Sequence, residues 1–354
     1  MLFDLHPKEH RKELFGRDSE LEYLLEQLLA GNWVVVGGQR EIGKTSLVKV
    51  AIRELKEKHR FKGAYVNLRG VRSLNALLTS LIPEMNSSRV KLDLSFNVNF
   101  IMGSAGIQVK RDAKAVSSLN ELLNSVHEDF VIALDEVQEL SQASKQFLDI
   151  LGNVFSSNSR VRFLFTGSYI GVTRILINPP STSPLHGRPP VILNLRPFND
   201  NTSRVFLRKG MREIGVDFNG EEEVVKRLDG VVGWLTLFGN FYAVRKIGLE
   251  EALNFAESEG KKIMIGEFEH FLENKNNKIV YTTLMDVIKV ANKWRDIKRG
   301  MEIAMGGIDD KELSSALDSL VGNNFIEKVG RGEYRIIDPL LRKIDYSKIL
   351  KPRL

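Results

Sequence analysis

The segment that most constrains the fold of this 354-residue chain is the glycine-containing run 38–45, which reads GQREIGKT. The β-branched run Val34-Val35-Val36 precedes it, and apolar residues at helical spacing follow it as far as residue 58. A strand, a glycine loop and a helix in this order are typical of loops whose backbone amides surround a phosphate at the positive end of the helix. The spacing G-x-x-x-x-G-K-[ST] predicts that Lys44 reaches the β/γ-phosphates and that the Thr45 hydroxyl holds Mg²⁺. The predicted nucleotide-binding residues of this loop are Gly38, Gln39, Arg40, Glu41, Ile42, Gly43, Lys44, Thr45 and Ser46.

Four further apolar runs, at 64–68, 130–134, 161–166 and 191–195, predict strands with helical stretches between them. Alternating strands and helices predict a parallel α/β sheet. Residues 92–100 alternate strictly between apolar and polar types and precede a glycine turn, which predicts an inserted β-hairpin at about 90–112. This insertion is either a flap that binds a partner or a decoration of the fold.

The second half of the chain changes character after Pro197, where the predicted strands stop. Helical patterns fill residues 200–274, including one at 249–259, and the last eighty residues combine helices with a short two-stranded hairpin. We therefore expect an α/β domain with the phosphate loop at 1–199, an all-α segment at 200–275 and a winged helix-turn-helix domain at 276–354.

Two adjacent carboxylates, Asp135 and Glu136, follow the buried run 130–134. Acids at the end of a buried strand are costly unless a metal or a reacting water uses them. We expect Asp135 to bind the Mg²⁺ shell and Glu136 to polarise the attacking water as a general base.

Polar residues near two later strands extend this predicted catalytic set. Thr166 or Ser168, at the end of the strand 161–166, is placed to sense the γ-phosphate, although Ser168 also suits a helix N-cap. Phosphoryl transfer gains from an arginine, of the same chain or of a neighbouring one, that meets the developing charge, and Arg188 is the first candidate. A surface salt bridge is the alternative for Arg188.

Composition excludes several classes of protein. There is no cysteine, which excludes disulfides, cysteine nucleophiles and Cys-zinc sites and favours a reducing compartment. The longest charge-free apolar stretch, 230–244, falls short of the roughly 20 residues that a membrane span needs. We therefore expect a cytoplasmic protein with no membrane partner.

These residues together resemble the archaeal ATPase family, which lies among the AAA+ and STAND-like P-loop ATPases. The resemblance rests on the loop, the two acids, Thr166-Gly167-Ser168, the segment 184–188 and Arg196-Pro197-Phe198. It implies that residues 1–199 are a P-loop ATPase domain and residues 200–275 a helical lid. The same resemblance implies ATP or ADP with Mg²⁺, a conformational switch and self-association. It also implies that the N-terminal box containing Phe15, Gly16 and Arg17 packs beside the adenine. The chain departs from the family in having Gln39 and a single arginine in the loop, and in lacking the proline of the lid's Gly-x-Pro element at 230–235.

The partner of the C-terminal domain is open at this stage. Residues 275–354 hold 16 Lys and Arg against 11 Asp and Glu, whereas residues 1–274 hold 35 against 34. A basic winged helix suggests DNA, but the predicted recognition helix carries Asp309, Asp310, Glu312 and Asp318 and would repel phosphates. The sequence thus supports an ATP-hydrolysing switch, a DNA-binding initiator-like ATPase, or a nucleotide-binding module that interacts with proteins without useful hydrolysis.

Overall fold

The five predicted strands form one parallel sheet. A computed structural model describes residues 1–88, 112–167, 176–177, 179, 181–273 and 275–350. The strands are β1 (Val34–Gly37), β2 (Lys62–Asn67), β3 (Phe130–Asp135), β4 (Val161–Thr166) and β5 (Val191–Asn194). All neighbouring pairs run parallel, in the order β2-β3-β4-β1-β5. The predicted α/β fold class is confirmed.

Helices alternate with these strands and then continue alone. In the first part of the chain they are α1 (Asp18–Leu29), α2 (Lys44–Lys58), α3 (Leu74–Ser87), α4 (Asp112–Asn124) and α5 (Ser144–Ser157). After β5 come α6 (Asp200–Ile214), α7 (Glu221–Leu228), α8 (Val232–Gly239), α9 (Leu249–Glu273), α10 (Lys278–Ile288), α11 (Trp294–Met305) and α12 (Asp310–Gly322). An antiparallel pair, β6 (Ile326–Gly330) and β7 (Glu333–Ile336), precedes the short helix α13 (Pro339–Arg342).

Contacts divide the chain into two compact units. The sheet unit comprises residues 7–38 and 43–195, and the C-terminal unit comprises residues 1–6, 39–42 and 196–354. The middle of the glycine loop therefore groups with the second half of the chain, which the sequence did not lead us to expect.

The sheet unit buries both faces of its strands. Every residue of β3 is buried, which explains its uninterrupted apolar composition. One face packs on α3, α4 and α5 through a core that includes Val35, Ile132 and Phe165. Residues one position away along each strand point to the opposite face, which α2 covers.

The C-terminal unit is built on aromatic packing. The Phe3 ring lies where a side chain on Gly210 or Gly239 would stand, so helices α6 and α8 need glycine at these two positions. A second cluster joins Phe268 to Phe325 and Tyr346, with ring centroids 5.1 and 5.0 Å apart.

Helix α9 is longer than its sequence pattern predicted, since it continues from residue 259 to Glu273. A Cβ atom on Gly260 would lie 2.3 Å from a methyl carbon of Leu340. Gly260 therefore lets neighbouring side chains approach the helix and does not end it.

The predicted β-hairpin at about 90–112 lies outside the described residues except for its last position. Over the part of the chain that the structure describes, no helix combines the length and the apolar character needed to cross a bilayer.

Candidate functional site

The glycine loop joins β1 to α2 through two residues in backbone conformations that favour glycine. Gly38 has a φ of 136° and Gly43 has a φ of 94°, and α2 begins directly afterwards at Lys44. The first amides of a helix have no partner within the helix and attract anions. Within the sheet unit, the Lys44 ammonium folds back and donates to the Gly38 carbonyl over 3.0 Å. Ser46, one residue after Thr45, accepts a hydrogen bond from the Lys8 amide at 3.0 Å.

Asp135 is the centre of a group of three hydroxyls in the sheet unit. The residue is 3% exposed. Its Oδ2 atom accepts from Thr45 Oγ1 at 2.9 Å and from Tyr65 Oη at 2.5 Å, and its Oδ1 atom accepts from Thr166 Oγ1. Three different elements, α2, β2 and β4, supply these donors. Burial of the carboxylate is thus compensated by hydrogen bonds.

Glu136 directly follows this buried acid and has a left-handed backbone, with a φ of 61°. A residue other than glycine rarely adopts this conformation, and such strain concentrates at functional sites. The Glu136 amide donates to Thr166 Oγ1 at 3.3 Å, and its carboxylate accepts from Gln138 Nε2 at 2.5 Å. The backbone therefore turns sharply after β3, and Gln138 orients the Glu136 side chain.

Tyr65 is the member of this group that sequence reasoning missed. Burial raises the pKa of its hydroxyl, and the neighbouring Asp135 carboxylate raises that pKa further. Tyr65 therefore acts as a hydrogen-bond donor throughout the neutral range. A half-buried aromatic residue in a strand is so common that its position alone gave no signal of this contact.

The donor set fits magnesium. Thr45 and Asp135 offer a hydroxyl and a carboxylate, and Mg²⁺ prefers oxygen ligands, of which protein side chains often supply only one or two beside substrate phosphates. Among the described residues no three His, Cys, Asp or Glu side chains cluster as a cation site. A cation at this edge of the sheet would thus depend on phosphate oxygens as well as on the protein.

The middle of the loop is held by residues of the C-terminal unit. Gln39 Nε2 donates to Asp338 Oδ2 at 3.1 Å, and Trp234 Nε1 donates to the same oxygen at 2.9 Å. Asp338 is fully buried and also caps α13 by accepting from the Leu340 amide at 2.7 Å. Burial raises the pKa of this carboxyl, although hydrogen bonds, led by the one from Trp234, act in the opposite direction.

Two neighbouring loop residues make further contacts inside the C-terminal unit. Arg40 forms an ion pair with Glu267 of α9. The Glu41 carbonyl accepts from the Gly233 amide at 2.8 Å, and a Cβ atom on Gly233 would lie 2.5 Å from the Glu41 side chain. Glu41 itself has a φ of 57°. Ile42, the last loop residue of this unit, is fully buried.

The N-terminal box is a helix start in the sheet unit. Gly16 has a φ of 64°, and Arg17 stands at the N-cap position of α1. Arg17 is buried, with 5% of its surface exposed, and its guanidinium donates a hydrogen bond to the Glu20 carboxylate at 2.8 Å. Burial raises the pKa of Glu20, but hydrogen bonds led by the one from Arg17 outweigh it and lower that pKa overall. Contact of Phe15, Gly16 and Arg17 with an adenine stays a prediction.

Arg188 lies at the edge of the sheet opposite the loop. Its guanidinium donates to Ser156 at 3.2 Å and stands 5.3 Å from the centre of the Phe155 ring. Ser156 and Phe155 lie in the last turn of helix α5, and the Phe155 ring contacts Trp33, just before β1. Strands β1 and β3 carry the loop and Asp135 at their carboxyl ends, so Arg188 does not reach Asp135 of its own chain. The other predicted sensor, Ser168, lies outside the described residues.

The fold and this arrangement define a class of protein. A parallel sheet in which β1 leads through a glycine loop into a helix, with the helix's first threonine bonded to the acid that ends β3, is that of a P-loop NTPase. Residues 14–238 match the family model of an ATPase domain predominantly from Archaea, and the chain belongs to this family. The curated proteins contain no match to the chain.

Several solved structures share the fold over nearly the whole chain. The Walker-type ATPase PABY2304 of Pyrococcus abyssi is 27% identical, with a TM-score of 0.80 over 97% of this chain and 99% of that one. The ORC2 protein of Aeropyrum pernix, in ADPNP-ADP complexes, is 17% identical, with a TM-score of 0.60 over 98% and 96% of the two chains. The ORC1 protein of Aeropyrum pernix, in complex with DNA, is 16% identical, with a TM-score of 0.50 over 95% and 93%.

Proposed function

We propose that this protein is an ATP-hydrolysing switch of the AAA+ and STAND type, in which nucleotide state is coupled to the lid and the C-terminal winged helix. The observation that carries the hydrolytic part is the hydrogen-bonded group formed by Thr45, Asp135 and Thr166 beside Lys44. In this proposal Lys44 and the loop amides bind the phosphates of ATP or ADP, and Thr45 and Asp135 hold Mg²⁺. Bound Mg²⁺ would neutralise negative charge on the phosphate oxygens.

Glu136 is the proposed general base. A water molecule attacks the γ-phosphorus, the bond to the bridging oxygen breaks, and the proton of the water passes to the Glu136 carboxylate. Gln138 keeps that carboxylate in place before the reaction, because it donates to it over 2.5 Å. Thr166, which contacts both the Asp135 side chain and the Glu136 amide, is the proposed sensor residue.

The coupling rests on Asp338. One buried carboxylate accepts from Gln39 of the loop, from Trp234 of α8 and from the start of α13. A change in loop conformation on nucleotide binding would alter this contact, and by reciprocity a change at Asp338 would alter nucleotide affinity. The contact thus supports a switch in which Gln39 of the loop and the region around Asp338 respond to each other.

Arg188 is proposed to act between molecules. Its guanidinium lies at the amino-end edge of its own sheet, away from Asp135, which supports a role toward a nucleotide bound by a neighbouring copy. This interpretation requires self-association.

Two variants test the hydrolytic proposal in the full chain. Glu136→Gln should retain ATP affinity, measured with a fluorescent ATP analogue, while turnover falls by a factor on the order of 10² or more. Unchanged turnover would remove Glu136 from its role. Lys44→Ala should abolish nucleotide binding, and retained tight binding would overturn the loop assignment. Lys145→Ala, on helix α5, is a control lysine outside the loop.

Binding of DNA through the winged helix is the second candidate function. The backbone amide of Trp294 donates to the Gly332 carbonyl at 2.7 Å, which brings the start of α11 against the turn between β6 and β7. Lys293, Arg295 and Arg331 lie at this junction and form no ion pair within the described residues. Helix α12 is less suited to DNA, since Asp309 and Asp310 stand at its start.

An anisotropy titration with duplex DNA at two salt concentrations tests this second candidate. Binding through the junction should weaken steeply with salt, and Arg295→Ala with Arg331→Ala should reduce the slope by about one for each lost phosphate contact. Binding without salt dependence, or binding that these changes leave intact, would contradict it. Lys311→Ala on α12 is the matched control.

A further inference from the structure

Asp135 accepts more hydroxyl hydrogen bonds than the sequence motif requires. The loop threonine and the β4 threonine account for two of them, and Tyr65 supplies the third. The Tyr65 bond is 2.5 Å long and reaches the same Oδ2 atom that Thr45 contacts. A third donor on a buried carboxylate restricts the directions in which that carboxylate can accept anything else.

The placement of Tyr65 follows from strand register. Tyr65 pairs with Ala133 and Asn67 pairs with Asp135, so Tyr65 lies two residues before the level of the acid and on the same face of the sheet. The side chain must therefore extend along the sheet, under α2, to bring its hydroxyl to Asp135. Lys49 of α2 covers the ring, with its ammonium 5.1 Å from the ring centre. The Tyr65 ring is thus held by Lys49 and its hydroxyl by Asp135.

An ionised carboxylate has about four lone-pair directions for accepting hydrogen bonds. Thr45, Tyr65 and Thr166 occupy three of them, which leaves one direction for a water of a hydrated cation. Such hydroxyls add no charge, so the carboxylate keeps its full negative charge while its rotation is restricted. Orientation of this kind by outer partners tunes metal sites in general.

We propose that Tyr65 is a positioning residue that orients Asp135 toward the magnesium of the bound nucleotide and thereby sets the magnesium requirement. This inference rests on the proposed function. Its test must separate the binding of magnesium from the binding of nucleotide, because the loop binds nucleotide by other residues.

The test is a titration of magnesium chloride into the full chain with mant-ADP, following fluorescence. Tyr65→Phe keeps the ring and its contact with Lys49 but removes the donor. The half-saturating magnesium concentration should rise about three- to tenfold, less than the roughly 10- to 100-fold typical of partners of direct ligands. The affinity for mant-ADP in EDTA should change by less than about twofold, because the Lys44 interactions remain.

Two further measurements make the outcome decisive. In an Asp135→Asn background, Tyr65→Phe should have no additional effect on the magnesium requirement, since there is no longer a carboxylate to orient. Tyr65→Met fills the space of the ring without a hydrogen-bond donor and should give the same result as Tyr65→Phe. It replaces Tyr65→Phe in the experiment if Tyr65→Phe does not fold. Tyr23→Phe, on the exposed face of α1, is the control for loss of a tyrosine hydroxyl.

An unchanged or lowered magnesium requirement in Tyr65→Phe would overturn the inference, as would an equal effect in the Asp135→Asn background. Failure of the proposed function looks different. In that case the unmodified protein would not bind mant-ADP at all, or Lys44→Ala would bind it as well as the unmodified protein does.

Discussion

Gln39 and Asp338 are hydrogen bonded although 299 residues separate them in the chain, with 3.1 Å between Gln39 Nε2 and Asp338 Oδ2. The partner of the loop residue is a fully buried carboxylate. This bond connects the segment that is proposed to contact phosphate with the region that follows the C-terminal β-hairpin. A substitution of Asp338 should therefore change nucleotide binding by the loop, and a substitution of Gln39 should change the environment of Asp338.

The first prediction concerns Asp338→Asn. An amide would place an NH₂ group against either the Leu340 amide or the Trp234 and Gln39 donors, so at least one hydrogen bond is lost. The free energy of unfolding should fall by about 1–3 kcal/mol. The dissociation constant for ATP should rise about three- to tenfold, because the loop loses its support. Urea denaturation and a fluorescent nucleotide titration measure the two effects.

A double-mutant cycle separates the bond from a general loss of stability. Gln39→Ala should raise the dissociation constant in the same way, and Asp338→Asn should add little in the Gln39→Ala background. Additive effects on nucleotide affinity would show that Asp338 acts on the fold alone.

The second prediction concerns Gly233→Ala. The new methyl group would stand 2.5 Å from the Glu41 side chain and 2.8 Å from its carbonyl oxygen, which forces the loop or α8 to shift. We expect a loss of about 1–3 kcal/mol in the free energy of unfolding and weaker nucleotide binding. Thermal melts with and without nucleotide measure both.

Gly266→Ala is the matched control for this change. Gly266 lies in α9 with nothing within 4 Å of the added methyl group. Alanine should stabilise the helix there by up to about 1 kcal/mol. Equal losses in both variants would contradict the contact between Gly233 and Glu41.

The third prediction concerns Arg188→Ala. Because Arg188 lies at the far edge of its own sheet, its loss should leave the dissociation constant for ATP unchanged and reduce turnover by up to about 10³-fold. Mixing Arg188→Ala with Lys44→Ala should restore part of the activity, since each variant supplies what the other lacks. ATPase assays at several protein concentrations measure this.

Arg53→Ala, which removes another partly exposed arginine of the sheet unit, should leave turnover unaffected. If the mixture of the two variants shows no recovery, the proposed action of Arg188 between molecules is wrong.

The fourth prediction concerns pH and Glu257. This carboxylate accepts from Arg227 Nε at 2.7 Å and from Lys343 Nζ at 2.6 Å. Burial raises the pKa of Glu257, but the hydrogen bonds from Arg227 and Lys343 outweigh it and lower the pKa overall. A lowered carboxyl pKa contributes stability above the ordinary value of 4.5, and this contribution disappears as the pH falls through the lowered value.

Glu257→Gln should therefore lower the free energy of unfolding by about 1–2 kcal/mol at pH 7. The difference from the unmodified protein should shrink at pH values below 4.5. Urea denaturation at pH 7, 5, 4 and 3 measures the trend, with Glu251→Gln on the same helix as the control. A difference that grows toward acidic pH would contradict the assigned shift.

The sequence predicted the parts of the site that depend on local patterns. The spacing of the glycine loop and the buried strand before Asp135 fixed the positions of Thr45 and Asp135, because parallel strands bring their carboxyl ends to one edge. The contact of Tyr65 with Asp135 depends on the register of β2 against β3, which no short pattern encodes. No local pattern signals the contacts of Asp338 with Gln39 and Trp234, because these residues are far away along the chain. An aspartate before a proline indicates only a helix cap.

The order of strands and helices along the chain was also predicted from local sequence patterns. Apolar runs between glycine and proline located the five strands, whereas the end of α9 was misplaced because Gly260 resembles a helix terminator. In the structure Gly260 lies inside the helix, where Leu340 and Trp234 pack so close to it that a larger residue would not fit.

The long separation between Gln39 and Asp338 has a consequence for the order in which the molecule assembles. Every strand of the parallel sheet has been synthesised once residue 194 has been added, so the sheet has all its strands early in translation. Gln39 in the glycine loop, in contrast, can form its bond to Asp338 only after another 299 residues have been added to the chain. A nascent chain that stops short of Asp338 would hold the sheet while Gln39 still lacks this bond.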